Sequence, residues 1–435
     1  MQYIDNILFV ALLAAGFWFF AKNIKSLIRN IKLGKDIDRT DNKPARWKNM
    51  AKIALGQGKM VRRPVSGILH IVVYVGFILI NIEVLEIVID GIFGTHRIFS
   101  EVLPNSVYGF LIGNFEILAF LVLVAVIVFW IRRNVIKIAR FWKDEMKGWP
   151  KSDGNMILYF EMVLMTLFLV MNATDVHFQA MNTGNIISQY ITPLFSGMES
   201  GTLHFIERGA WWLHIVGILI FLNYLYYSKH LHILLAFPNT FFANLNPKGQ
   251  FTNDANVTKE VMMMMDPDAD PYAMPEEGAE EEVSTFGAKD VTDLSWVNLL
   301  NAYTCTECGR CTSECPANLT GKKLSPRKIM MDTRDRLEEV GKNIDANNGE
   351  FKDDGKNLFD WISKEEIWAC TSCNACVETC PVNIDPLSII MDMRRYLVME
   401  ESAAPTELNN MMQNVENNGA PWPYNQMDRL KWVDE

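Results

Sequence analysis

The sequence predicts an all-α protein in two parts: a bundle of five membrane-spanning helices, then a smaller helical domain in water. Three observations predict it. The front half carries five long apolar runs, near residues 5–22, 65–90, 107–131, 155–180 and 203–237. A helix needs about 20 apolar residues to span the hydrocarbon of a bilayer, and five such runs in series argue against buried helices of a soluble core. Charge divides at the same place: residues 1–237 hold 23 Lys and Arg against 16 Asp and Glu, and the remainder holds 18 against 35. All eight cysteines fall in the acidic half, between Cys305 and Cys380. At 435 residues the chain is long enough for two or three domains.

The first run differs from a secretory signal peptide. No basic segment precedes it, and its positive flank follows instead, from Lys22. It is expected to stay as a helix. The loop from Lys22 to Arg63 holds 13 Lys and Arg, and the loop from Arg132 to Lys151 holds 7. The intervening loops, around 91–106 and 181–202, hold only Arg97. Basic loops stay on the cytoplasmic side, so the expected N-terminus is outside the inner (cytoplasmic) membrane and the cysteines are in the cytoplasm. Thiols stay reduced there, which fits eight cysteines with no secretory signal.

Ionisable side chains at membrane depth point to function, because burying them unpaired is costly. Of seven histidines, His70, His177, His214, His230 and His232 lie in or against the runs. Neutral imidazole is a good axial ligand for haem iron, and two on facing helices can clamp a haem inside a bundle. At about 1.5 Å per residue, His70 lies near the cytoplasmic start of the second run, and His230 and His232 lie near the cytoplasmic end of the fifth. His214 and His232 are 18 residues apart, five turns of about 3.6 residues, which puts them on one helix face. The expected ligands of an inner haem b are therefore His70 and His232, with His230 as the alternative. His214 with His177 is the expected pair for an outer haem b. His96 and His204 sit at the outer boundary, solvated or part of a quinone pocket. Glu83, Glu86, Glu116 and Glu161 lie at membrane depth too, as proton carriers to a quinone or as interhelical hydrogen-bond acceptors, with equal weight.

After Pro238 the character changes. Residues 241–290 read as an acidic linker with little helix, including four methionines at 262–265, Pro267, Pro271, Pro275 and the run Glu276–Glu282. Residues 291–399 form the cysteine domain, with helices expected near 325–340 and 358–369. Residues 400–435 are polar and end with Trp422, Arg429 and Trp432, a stretch that reads as docking on a partner or as folded back on its own domain.

The cysteines come in two runs of identical spacing. Cys305, Cys308, Cys311 and Cys315 precede Pro316; Cys370, Cys373, Cys376 and Cys380 precede Pro381. C-x2-C-x2-C-x3-C-P is the spacing of 4Fe-4S ligands, in which the fourth cysteine serves the other cluster. Cluster 1 is expected on Cys305, Cys308, Cys311 and Cys380, and cluster 2 on Cys370, Cys373, Cys376 and Cys315. Zinc needs neither the third cysteine at that spacing nor the repeated Cys-Pro ending. No nucleotide fingerprint accompanies them: Gly56-Gln57-Gly58 and Gly109…Gly113 lack a strand–turn–helix setting. No nucleic-acid partner is expected.

The twin cysteine runs in a helical setting resemble the small iron–sulfur subunit of heterodisulfide reductases and the iron–sulfur domains of glycerol-3-phosphate and succinate dehydrogenases. The five apolar runs with His70, His214 and His232 resemble the gamma subunit of respiratory nitrate reductase and the cytochrome b subunit of membrane heterodisulfide reductase. Ser228-Lys229-His230-Leu231-His232 resembles the end of the last helix in membrane-bound Fe–S oxidoreductases that fuse both parts. The resemblance implies a cytochrome b-like bundle, a dicluster ferredoxin domain and a redox subunit that exchanges electrons with menaquinone or another quinone. Two departures stand out. The nitrate reductase pattern has two histidines on the second helix, where this chain has only His70, and the fused relatives continue into a cysteine-rich CCG domain. That domain is expected here on a separate cytoplasmic subunit, an Fe–S or flavoprotein partner. The alternative is an Fe–S membrane anchor or redox-sensing module without working haem.

Overall fold

The computed structural model describes residues 3–267 and 285–433. Those residues are helical or irregular, with no strand beyond one isolated bridge between Lys35 and Ser295. Five helices are long and apolar enough to cross a membrane: α1 (Ile4–Ile31), α2 (Pro64–Phe93), α3 (Asn105–Asn134), α4 (Trp149–Thr174) and α5 (Ser200–Tyr224). Start and stop signals are local. Pro64 opens α2, where its missing N–H costs nothing, and Gly94 closes it in the left-handed region at φ 75°. Gly148 and Pro150 start α4 in the same manner.

Two of the expected runs are broken. The fourth stops at Thr174, because the Asp175 side chain accepts the Phe178 N–H (3.0 Å) and caps a separate short helix, Val176–Ala180. His177 therefore lies on that short helix, outside α4. The fifth run tightens to a 3-10 turn at Leu225–Tyr227 and then breaks at Ser228, whose hydroxyl accepts the His230 N–H (3.1 Å). A new helix, α6 (His232–Phe241), begins at His232. The five-turn phase argument joining His214 to His232 fails, since no single helix holds both.

The described part of the linker contains one helix. Helix α7 (Ala255–Met265) carries the four methionines, which are exposed. The acidic run Glu276–Glu282, Pro271 and Pro275 lie outside the described residues. Beyond it come α8 (Trp296–Thr304), α9 (Arg310–Glu314), α10 (Pro326–Ala346), α11 (Ala375–Thr379) and α12 (Pro386–Met399). Ser325 caps α10 and Asp385 caps α12, each with a proline in the next position. The expected helix over 358–369 is two short pieces, Leu358–Asp360 and Lys364–Trp368. The tail forms α13 (Thr406–Asn418), and Trp422 and Trp432 beyond it are exposed.

The two parts share one core. Leu27, Phe221, Leu225, Leu231 and Ala236 from the bundle end pack with Leu294, Leu299, Tyr303 and Ile329 of the cysteine domain. Gly34 lets the chain after α1 lie against the backbone of Ser295 and Trp296, where any Cβ would meet Trp296 N at 2.6 Å. Lys35 N donates to Leu294 O (2.8 Å) and Trp296 N donates to Lys35 O (3.0 Å). Both basic loops lie at this end of the bundle: Arg63 pairs with Glu314, and Arg327 reaches Glu145 and Arg140 O.

Candidate redox centres

The two cysteine runs fold alike. Glu307 and Gly309 in the first, and Ser372 and Asn374 in the second, all adopt positive φ, at 51°, 69°, 55° and 60°. These left-handed residues alternate with the first three cysteines and bend each loop around a centre, after which α9 and α11 lead to the fourth cysteine and its proline. Helices α9 and α11 pack side by side, so each run's fourth cysteine reaches the other run's loop.

The exchange is visible in the neighbours. Cys315, Cys370, Cys373 and Cys376 line one cavity, closed by Leu324, Leu387 and Ile390. Cys311 feels the charges of Cys308, Cys305 and Cys380, and only more weakly that of Cys376. All eight thiols are free, and the donor set is soft sulfur throughout, which suits an iron–sulfur core. Burial pushes the Cys305 thiol up to about 12 and the Cys380 thiol to about 11, so metal loading must displace protons. Cys370 Sγ accepts the Ser372 N–H (3.4 Å) and Cys380 Sγ accepts the Ile384 N–H (3.3 Å).

Cys373 is exposed, Cys308, Cys311 and Cys370 are half-buried, and Cys305, Cys315, Cys376 and Cys380 are buried. Arg310, next to Cys311, donates to Lys59 O (3.0 Å) and Met60 O (3.2 Å), just ahead of α2. On the other side Lys229 reaches Glu307 inside the Cys305–Cys308 loop and Pro150 O (2.7 Å), while Arg334 also holds Glu307 (2.8 Å). The Cys305–Cys308 loop is thus bonded directly to the chain that carries His230 and His232.

His70 and His232 meet at this end, with ring centroids 6.4 Å apart and planes at 40°. Two imidazoles that share one metal through bonds of about 2 Å, with roughly 1 Å from nitrogen to ring centre, would stand within ~6 Å of each other. His232 Nδ1 faces Lys229 O at 3.0 Å, which places its proton on Nδ1 and leaves Nε2 as the donor. His70 Nδ1 is buried with no hydrogen-bond partner. These residues fit a haem iron. His230 packs at right angles to His232, centroids 5.3 Å apart, and against Phe221.

The other expected pair is not brought together. His214 is buried against Phe168, with Nδ1 unpartnered. His177 is exposed and its ring lies 6.0 Å from that of His96. Among the carboxylates, Glu116 accepts from Asn172 Nδ2 (3.1 Å), Ile187 N (2.7 Å) and Ser188 N (3.0 Å), and Glu86 accepts from Phe99 N (2.9 Å). Both tie the far-end connections to the bundle, which is the structural alternative. Glu83 Oε2 is buried without a partner. Sequence reasoning missed Arg97, counted only as a loop charge. It is buried and donates to Asp175 (2.6 Å), Asn172 (2.8 Å) and Tyr108 (3.2 Å). Its position as the lone Lys or Arg of that loop was the available signal.

Residues 304–384 match the 4Fe-4S dicluster domain family. The whole chain is similar to the probable iron-sulfur-binding oxidoreductase FadF of Bacillus subtilis, 29% identical across 99% of this chain and 61% of that protein. It is also similar to the EtfAB:quinone oxidoreductase of Syntrophomonas wolfei, 25% identical across 100% of this chain and 59% of that protein. The chain spans about three fifths of the length of these two relatives. A shorter match, 31% identical, covers 24% of this chain and 52% of a subunit of the ferredoxin- and F420H2-dependent CoB-CoM heterodisulfide reductase from Methanosarcina acetivorans. No solved structure matches. The relatives of this chain are thus iron–sulfur oxidoreductases and heterodisulfide reductase subunits, and the chain itself carries a 4Fe-4S dicluster domain below five apolar helices.

Proposed function

We propose that this chain is the electron-transfer subunit of a membrane quinone oxidoreductase, linking a cytoplasmic redox partner to menaquinone or another quinone through two 4Fe-4S clusters and haem b. One observation carries the reading. The Cys305–Cys308 loop is bonded through Glu307 to Lys229, next to His230 and His232, and Arg310 beside Cys311 is bonded to the backbone just ahead of the helix that carries His70, while His70 and His232 face each other. When bound, the clusters and haem supply one-electron chemistry. The residues of the chain fix their order. Cys315, Cys370, Cys373 and Cys376 hold the outward cluster, and Cys305, Cys308, Cys311 and Cys380 hold the inward one. Lys229 and Arg310 clamp the inward loop against the bundle end. His70 and His232 would hold the haem iron, His232 with its tautomer set by Lys229 O. His214 remains the candidate for an outer haem, without His177 beside it. The name of the Syntrophomonas relative, an EtfAB:quinone oxidoreductase, supports a quinone and an EtfAB-type protein as redox partners. The N-terminus faces outward, and a catalytic Fe–S or flavoprotein unit docks on the cytoplasmic side.

Mixing the purified protein with a reduced naphthoquinol tests this reading. Haem and cluster absorbance should both respond in wild type, and His70→Ala should lose the haem response while keeping its clusters. Unchanged haem content in that variant would sink the ligand assignment; a wild-type protein inert to quinol would sink the quinone.

A further inference from the structure

We propose that the end of the bundle away from the cysteines holds one divalent transition-metal ion of the zinc class, between His96, Asp175 and Glu207. Three separate segments supply these residues: the connection after α2, the residue that ends α4, and the second turn of α5. One donor atom from each lies within 4.8 Å of the others. His96 Nε2 stands 3.1 Å from Asp175 Oδ2. Donors on one tetrahedral ion with bonds of about 2 Å sit ~3 Å apart, so this spacing needs little adjustment.

Glu207 is the second observation. Its residue is 3% exposed, yet it lines an open cavity. Its nearest cations are His204 Nδ1 at 3.7 Å and Arg208 Nη1 at 3.8 Å, both beyond hydrogen-bond range. A buried carboxylate held only by such long ion pairs is under-compensated, and a metal ion would complete its charge balance. Asp175 is oriented for the same task. Its Oδ1 accepts from Phe178 N (3.0 Å) and its Oδ2 from Arg97 Nε (2.6 Å), which leaves a second lone pair on Oδ2 toward His96. His177 and His204 line the same cavity as further nitrogen donors. Imidazole with carboxylate and no thiolate suits zinc, iron(II) or manganese(II). An ion there would pin three connections at once, and it is independent of the electron-transfer reading.

The test uses full-length protein with its clusters in detergent, stripped with a chelator and equilibrated with Zn2+ alone. Zinc and iron are counted, and the zinc environment is read by X-ray absorption. One zinc per chain is expected in a shell of nitrogen and oxygen at about 2.0 Å, with iron content unchanged. His96→Ala with Glu207→Gln should weaken binding by more than about tenfold. A sulfur shell near about 2.3 Å would mean zinc in the cysteine sites and would overturn the proposal. Equal zinc in wild type and the double variant, an adventitious ion only, would overturn it as well. Should the double variant fail to fold, the wild-type shell alone decides.

Discussion

Three cations face one cysteine quartet and one faces the other. Lys59 acts on Cys380, Arg140 and Arg310 act on Cys308, and Arg394 acts on Cys370. Positive charge stabilises the reduced, more negative cluster. The inward cluster should therefore have the higher reduction potential. A redox titration followed by electron paramagnetic resonance checks this, and an inward cluster that reduces second would contradict it. The proposed crossed ligation predicts a pattern that sequence neighbours do not share. Cys315→Ser should damage the same cluster as Cys373→Ser, and Cys380→Ser should damage the cluster of Cys305. Cluster-resolved spectra of the three variants would show the opposite grouping if each run served itself. Arg327 and Arg336, both fully buried, had no signal in the sequence: Arg336 is held by Asp290 and Asp354 (2.7 and 2.6 Å), residues 46 and 18 positions away. Pairing at such distance is a property of the fold, not of local pattern.

At the scale of elements, the two cysteine loops depend on left-handed residues. Gly309 takes φ 69°, and a Cβ there would approach Arg327 Nη1 to 2.6 Å. Gly309→Ala should cost roughly 1–2 kcal/mol, the ordinary penalty for a side chain in that region. Asn374→Gly, at φ 60° in the second loop, should be neutral or nearly so. The midpoint of guanidinium-induced cluster loss measures both, and equal shifts for the two would contradict the account. The loops were legible because ligand spacing is a local constraint that the sequence writes directly. The elbow at Ser228 was not. Leu225–Tyr227 and His232–Phe241 are apolar on either side of it, so hydropathy runs on while the backbone turns to satisfy the Ser228 cap. Asp175 hid the end of α4 in the same way. Its capping bond to Phe178 N replaces the helical ladder inside a stretch that stays apolar by composition.

For the whole molecule, the five-helix bundle and the helical cysteine domain were both legible, since spans about 20 residues long and paired cysteine runs are long or repeated signals. What composition left out was their union. Leu27, Leu231 and Ala236 look like ordinary apolar residues, yet they join the core of the cysteine domain. The shared core and the two basic loops at one end give a topology prediction. In intact cells, a thiol- or protease-based probe applied from outside should reach an N-terminal tag and spare the segment 285–433. The reverse labelling would invert the orientation. The central claim is that one chain carries both sets of redox centres. An optical difference spectrum of the purified protein, dithionite-reduced minus oxidised, tests it most directly when haem, iron and sulfide are quantified on the same sample. The account predicts sharp bands of reduced b-type haem together with about eight irons in clusters per chain. A broad iron–sulfur spectrum without haem bands would contradict it and leave His70 and His232 as structural residues of a membrane anchor.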